Sequence, residues 1–343
     1  MEQQFDPVTP SGRHHIVVIG ASAGGVETLQ RVVRGLPSDL PATICIVLHL
    51  HPGSPSALAA ILRRATALPC RTAVDGEKLR TGEILVAPPD RHLAIEGDRV
   101  TLTVGPRENG HRPSVDVLFR SAAAAQDSYV VGVVLSGTRD DGTAGLAVIK
   151  ANGGGTIVQD PEEALYAGMP ANAIAHVHVD HVVPSDQVAD AIVTMVNGGP
   201  PNSHPPRHNP GPEPLPGAPV ITACPECGGV LSENREAGVT QWRCKVGHRY
   251  SPESLADAQA ESVEGAMWAA VRALEDRQAL LERMGSQLES RGHVRSAASF
   301  RTRAREAARH AEAVRAALAD AASTTLQAAE DGGTVKSEAG RLV

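Results

Sequence analysis

Between residues 15 and 196, short apolar runs alternate with segments whose apolar positions recur every three or four residues. The runs at 15–20, 43–48, 83–87, 99–104, 129–135 and 155–159 read as strands. The segments at 25–35, 54–66, 114–126, 142–152 and 185–196 read as helices. Regular alternation of the two predicts an α/β domain, a doubly wound and mostly parallel sheet with helices on both faces. Gly97-Asp98, between two short strand-like runs, predicts an inserted hairpin.

Past residue 196 the pattern changes. Nine of the twenty-three residues from 197 to 219 are proline and four are glycine, which predicts an extended linker and a domain boundary. Residues 220–252 hold a group of cysteines. From 253 to 327 the chain is rich in Ala, Glu, Arg and Leu. Met267, Leu274, Leu281 and Leu288 recur every seven residues. Phe300, Ala304, Ala307, Ala311, Val314 and Leu318 follow in steps of four and three, and Arg291-Gly292-His293 divides the two series. An antiparallel helical hairpin with a narrow apolar seam is expected. The polar ends, 1–14 and 328–343, are expected to be disordered.

Composition narrows the function classes. A net charge of −7 and a pI near 6.1 give no sign of a nucleic-acid binder. The carboxyl-terminal part is neutral: residues 220–327 carry fourteen Lys/Arg and fourteen Asp/Glu. No apolar run reaches eighteen residues, so no direct membrane insertion is expected. The first fifteen residues lack the apolar core of a signal peptide, which points to the cytoplasm. Cys45 lies inside an apolar run and is expected to pack as a small hydrophobe. Cys70 shows no partner.

The strand at 15–20 runs into Gly-Ala-Ser-Ala-Gly-Gly (20–25), a turn with Ser22 at its tip. G-x-S-x-G matches a nucleophile elbow, but glycine turns after a first strand also cradle phosphates. The second strand ends at His49, where a dinucleotide site would want an Asp or Glu. If these strands are neighbours, about 4.8 Å apart, Ser22 and His49 emerge within reach of each other. The strand at 129–135 opens into Ser-Gly-Thr-Arg-Asp-Asp-Gly (136–142), so Asp140 and Asp141 are both candidates for an acid behind the histidine, or for helix caps.

Together these motifs resemble the CheB family of protein-glutamate methylesterases, which demethylate bacterial chemotaxis receptors. Ile-Leu-Val-Ala-Pro-Pro-Asp-Arg-His-Leu (84–93), Arg-Pro-Ser-Val-Asp-Val-Leu-Phe (112–119) and Ala-Gly-Met-Pro (167–170) extend the resemblance over residues 15–196. It implies a Ser22-His49-Asp141 triad, with Asp141 preferred to Asp140 because the family's acid immediately precedes the glycine. It implies hydrolysis of glutamyl methyl esters to release methanol, and it permits deamidation of receptor glutamines. No cofactor is implied for catalysis. Backbone amides at Ala23 and in the Gly137-Thr138 turn are the expected oxyanion donors. Ala23 stands where the family has Thr, Thr138 where it has Met, and His51 where it has Pro. No receiver domain is expected ahead of the esterase domain.

Cys224, Cys227, Cys244 and His248 have the count and spacing of a closed zinc ribbon, for which structural Zn²⁺ is expected. The linker predicts that Cys227→Ser would damage this module and leave esterase activity largely intact. His176, His178, Asp180 and His181 form another candidate metal group, since alternation along a strand could pair His176 with His178, but no fourth ligand is apparent and an ordinary exposed strand end is the preferred reading. The expected partner is a methyl-accepting receptor or a receptor-like protein. The helical hairpin is expected to dimerise or to dock a signalling partner. The alternative is a non-catalytic docking protein that uses the same fold and zinc-helix module.

Overall fold

The computed structural model describes residues 15–49, 57–198 and 222–338, the side chains of 321–338 excepted. The expected disordered amino terminus, His51 and nearly all of the linker lie outside the described residues. The chain divides into two compact units, Met1–Ala256 and Asp257–Val343.

The first unit begins with β1 (His15–Ala21), α1 (Gly25–Gly35), β2 (Ala42–Leu48), α2 (Leu58–Arg63), β3 (Cys70–Thr72) and β4 (Glu83–Val86). Next come β5 (His92–Glu96), β6 (Arg99–Thr103), α3 (Val115–Gln126), β7 (Val130–Val134) and α4 (Thr143–Ala151). β8 (Gly155–Gln159), α5 (Gly168–His176), β9 (His181–Val183) and α6 (Val188–Asn197) follow. Seven strands form one parallel sheet in the order β3-β4-β2-β1-β7-β8-β9. β5 and β6 make the expected hairpin, turned at Gly97 with φ 61°.

The apolar runs are continuous because both faces of the sheet are covered. Leu29, Val32 and Val33 of α1, Leu58 and Leu62 of α2, and Val188 and Ile192 of α6 pack on Val17, Ile19, Ile44 and Ile46. On the other face, Leu118 and Phe119 of α3, Leu146 and Ile149 of α4, and Met169 of α5 pack on Ile16, Val18 and Val134. Cys45 belongs to this second cluster, fully buried, and burial pushes its thiol up to about 12.

β1 is flanked by β2 on one side and β7 on the other, so the carboxyl ends of three strands open side by side. Such a switch point is where doubly wound sheets form their clefts. A Cβ on Gly20 would stand 2.2 Å from Val115 Cγ1. The absence of a side chain there lets the start of α3 press against the end of β1.

Three elements had no strong pattern. β3 and β9 are three residues long, and α5 is built on small residues with Met169 and Ala173 inward. α5 also overturns the suggested pairing of His176 with His178. His176 is the last residue of that helix, and the strand begins only at His181. Asp180 instead accepts from Thr156 N–H at 2.9 Å.

The cysteine region forms a second, antiparallel sheet of β10 (Leu231–Glu236), β11 (Val239–Cys244) and β12 (Arg249–Tyr250). It lies in the same compact unit as the parallel sheet. α7 (Pro252–Glu289) starts there and continues into the second unit, which it forms with α8 (Val294–Glu338). The turn between them falls at the expected site, with Gly292 at φ 79° and His293 N–H bonded to Leu288 O at 2.9 Å. Leu281, Ala304, Ala307 and Ala311 are buried along the seam, joined by Val271 and Ala297. α8 runs past residue 328, where a disordered tail was expected; the Ala-rich 321–330 stretch has good helix formers.

Candidate active site

Each of the three strand ends supplies one side chain. The turn after β1 holds Ser22: its N–H bonds Ser136 O and its carbonyl accepts from Gly25 N–H, both at 2.9 Å. Gly24 takes φ 72° to close this turn. His49 follows β2, its N–H tied to Ala21 O at 3.1 Å. Asp141 lies in the loop between β7 and α4. His49 Nδ1 lies 3.2 Å from Ser22 Oγ, and His49 Nε2 lies 2.7 Å from Asp141 Oδ2. The histidine and aspartate side chains are 5% and 1% exposed, so bulk water does not compete for this contact.

The surroundings of Asp141 fix the proton on the histidine. Besides His49, the carboxylate accepts from Asn109 Nδ2 and Ser114 Oγ, each at 2.9 Å, from Val115 N–H at 2.7 Å and from Asp116 N–H at 3.2 Å. Burial by itself would raise this carboxyl. Hydrogen bonds, first from the His49 ring and then from the Val115 amide, outweigh burial and hold it well below the usual carboxylate range. An ionised Asp141 can only accept, so Nε2 of His49 carries hydrogen and Nδ1 presents its lone pair to Ser22.

Asp140, the neighbouring candidate, points elsewhere. It accepts from Glu253 N–H at 3.1 Å and from the Ser254 hydroxyl, at the start of α7. Burial raises its carboxyl to about 6 despite those bonds. Of the expected oxyanion donors, the Gly137 amide is taken by Tyr166 O at 3.0 Å, so that half of the Gly137-Thr138 turn is withdrawn. Among the described residues no hydrogen bond occupies the amides of Ala23 or Thr138. A Cβ on Gly137 would meet Met169 Sδ at 2.1 Å and Ser22 Cβ at 2.9 Å. Only glycine therefore lets this loop approach the serine.

Four residues of the site had no role in the sequence reading. Ser114 and Asp116 stand in the 112–119 motif, where the start of a helix was legible but its meeting with Asp141 was not. Asn109 and His111 carried no signal. The His111 ring stacks on His49, centroids 3.6 Å apart and planes 13° apart. Burial, followed by the proximity of His49, lowers His111 to about 3 and keeps it neutral.

The chain matches the CheB methylesterase family model over residues 17–192, which is half of its length. It belongs to the CheB methylesterase family. A Leptospira interrogans protein, named provisionally as a protein-glutamate methylesterase/protein-glutamine glutaminase, is 36% identical over 183 residues. That match covers 53% of this chain and 95% of the relative. Protein-glutamate methylesterase/protein-glutamine glutaminase 2 of Anaeromyxobacter dehalogenans is 41% identical over 182 residues, covering 53% of each. Among solved structures, the Thermotoga maritima CheB methylesterase catalytic domain is 34% identical, with a TM-score of 0.51. It aligns over its whole length with 54% of this chain. The CheB domain accordingly accounts for the parallel sheet and the Ser22-His49-Asp141 cluster, and the cysteine sheet lies beyond the family match.

That second sheet brings Cys224, Cys227, Cys244 and His248 together, all ligand atoms within 4.8 Å of one another. Cys227 Sγ to Cys244 Sγ is 3.7 Å, and His248 Nδ1 is 3.6 and 3.5 Å from the sulfurs of Cys224 and Cys244. A tetrahedron with sulfur vertices about 2.3 Å and a nitrogen vertex about 2.0 Å from its centre has edges of about 3.5–3.8 Å. The donor set therefore has the size and chemistry of a zinc site. Glu226 Oε2, 3.2 Å from His248 Nε2, orients the ring from behind.

Proposed function

We propose that this chain is a cytoplasmic serine esterase that hydrolyses glutamyl methyl esters of a methyl-accepting receptor. The unbroken contact from Ser22 through His49 to Asp141 carries the reading. Ser22 Oγ attacks the ester carbonyl while His49 Nδ1 takes its proton. Asp141 holds the imidazole by Nε2–H and stabilises the imidazolium. The amides of Ala23 and Thr138 receive the developing oxyanion. The protonated His49 then gives its proton to the leaving methoxide oxygen, and methanol departs. His49 next activates water, which hydrolyses the acyl-Ser22 ester to the glutamate. A glutamine side chain would pass through the same acyl intermediate with ammonia as leaving group, in keeping with the double name of the relatives.

In the same reading, Cys224, Cys227, Cys244 and His248 hold a structural Zn²⁺ that closes the ribbon, with no position left open for catalysis. The α7–α8 pair serves to dimerise or to dock a signalling partner. Methanol release from a methylated receptor cytoplasmic domain, compared between wild type and Ser22→Ala, tests the esterase reading. Release by the wild type alone is expected; equal background release from both would sink it.

A further inference from the structure

The Cys₃His ribbon does not stand apart from the esterase site. Arg249, next after the ligand His248, lies in a parallel bridge with Glu108. Its carbonyl accepts the Asn109 N–H at 2.8 Å. Two residues on, Ser251 N–H donates to Asn109 Oδ1, also at 2.8 Å. The chain of the ribbon thus grips Asn109 by both backbone and side chain. Asn109 is 1% exposed and sits at φ 54°, a conformation that needs such support.

Asn109 passes this grip on. With Oδ1 bonded to Ser251, the amide plane is fixed and its two hydrogens face two carboxylates. Nδ2 lies 2.9 Å from Asp141 Oδ1 and 2.9 Å from Asp116 Oδ2. The same ribbon segment also reaches Asp140, the residue before Asp141, through Glu253 N–H and the Ser254 hydroxyl. Charged side chains seal the junction. Arg249 Nη1 pairs with Glu236 at 2.8 Å, and Arg120 of α3 reaches both Glu108 and Glu236.

We propose that the ribbon-borne segment Arg249–Ser254 is a positioning element of the esterase: it fixes the Asp141 carboxylate through Asn109, so that closure of the Cys₃His cluster sets kcat. The proposal rests on Ser22, His49 and Asp141 being the esterase triad. It reverses the expectation, drawn from the linker, that losing the ribbon would leave activity intact. Opening the cluster frees His248, then Arg249 and Ser251. Asn109 Oδ1 loses the Ser251 N–H, and a buried carbonyl without a donor drives rearrangement. Asp141 keeps its helix amides but loses a fixed donor, so the imidazole it orients is held less accurately. Substrate binding at Ser22 is untouched, so the loss falls on kcat and not on KM.

The test uses the full chain carrying Cys227→Ser, with metal content, kcat and KM measured on a methylated receptor cytoplasmic domain. The downfield proton resonance of His49 Nε2–H is read in parallel by NMR. With metal lost, kcat is expected to fall at least ten-fold, KM to stay within two-fold, and the resonance to shift or broaden. Metal-free protein with kcat within two-fold of wild type, or with an unchanged resonance, overturns the proposal. If Cys227→Ser does not fold, wild type stripped by a chelator and reloaded with Zn²⁺ makes the same comparison. Arg249→Ala, which leaves the four ligands alone, is expected to lower kcat three- to ten-fold, with partial rescue by Arg249→Lys. Should wild type release no more methanol than Ser22→Ala, the esterase reading fails. The resonance then still decides the structural link, because its persistence in stripped protein and in Arg249→Ala would refute it.

Discussion

His111 shows how a residue without a legible role shapes the site. Its ring lies flat on His49 and stays neutral because burial and the neighbouring imidazole lower it to about 3. An unfolded histidine titrates near 6.5. Between about 6.5 and 3 the unfolded chain therefore binds a proton that the folded chain refuses, so stability is full above 6.5 and declines as the pH falls through this window. His111→Phe keeps a flat ring against His49 and removes the titrating nitrogens. Its urea midpoint should fall less than that of wild type between pH 7 and pH 4.5; an equal fall in both would exclude this role. The sequence made Ser22 and His49 legible because each ends an apolar strand. It left Asp140 and Asp141 equivalent until the family motif was considered, since both precede the same glycine. The structure parts them by direction: Asp141 turns to His49 and Asp140 to Ser254. His111 and Asn109 were invisible because the partners that give them their roles, His49 for the one and Asp141 and Ser251 for the other, are distant in the chain.

At the scale of elements, α3 and α4 exchange carboxylates. Asp141, before α4, accepts the Val115 and Asp116 amides at the start of α3. Asp116, on α3, accepts the Gly142 and Gly145 amides at the start of α4, at 3.1 and 2.6 Å. Each positive helix end thus meets an acid from the other element. Ser114 sits at the N-cap of α3 but donates its hydroxyl to Asp141, so a residue that reads as a local cap serves a long-range contact. The strands were legible because burial on both sheet faces leaves continuous apolar runs, and the long helices because the hairpin seam leaves a strong periodicity; β3 and β9 are too short for a run. In the hairpin, Leu281 is 4% exposed, while Arg301 and Glu289 pair at about half exposure. Leu281→Ala should cost about 2–4 kcal/mol through the cavity it leaves. Arg301→Ala should cost less than about 1 kcal/mol, because water screens an exposed ion pair. Thermal melts followed by helical circular dichroism would rank the two, and the reverse order would discard the seam as the source of stability.

On the scale of the whole molecule, the question is what the second sheet adds to a domain that folds elsewhere without it. The Thermotoga maritima catalytic domain aligns over its full length with 54% of this chain, so a parallel sheet of this family is a complete folding unit. A chain ending at Asn197 should therefore fold. Its site would differ at Asn109 and Asp140. Asn109 would bond water in place of the Arg249 carbonyl at its N–H and in place of Ser251 N–H at Oδ1, and Asp140 would lose Glu253 N–H and the Ser254 hydroxyl. Water can satisfy both groups, so the loss in stability should be small, within about 2 kcal/mol. Water cannot hold the Asn109 amide in one plane, and the Asp141 carboxylate depends on that plane for one of its five donors. The truncated chain should then show a near-native urea midpoint beside a kcat at least ten-fold lower, with KM unchanged. A fall in both together would mean that the ribbon acts through stability alone. A kcat equal to that of the full chain would make the junction at Asn109 a packing contact without consequence for the reaction.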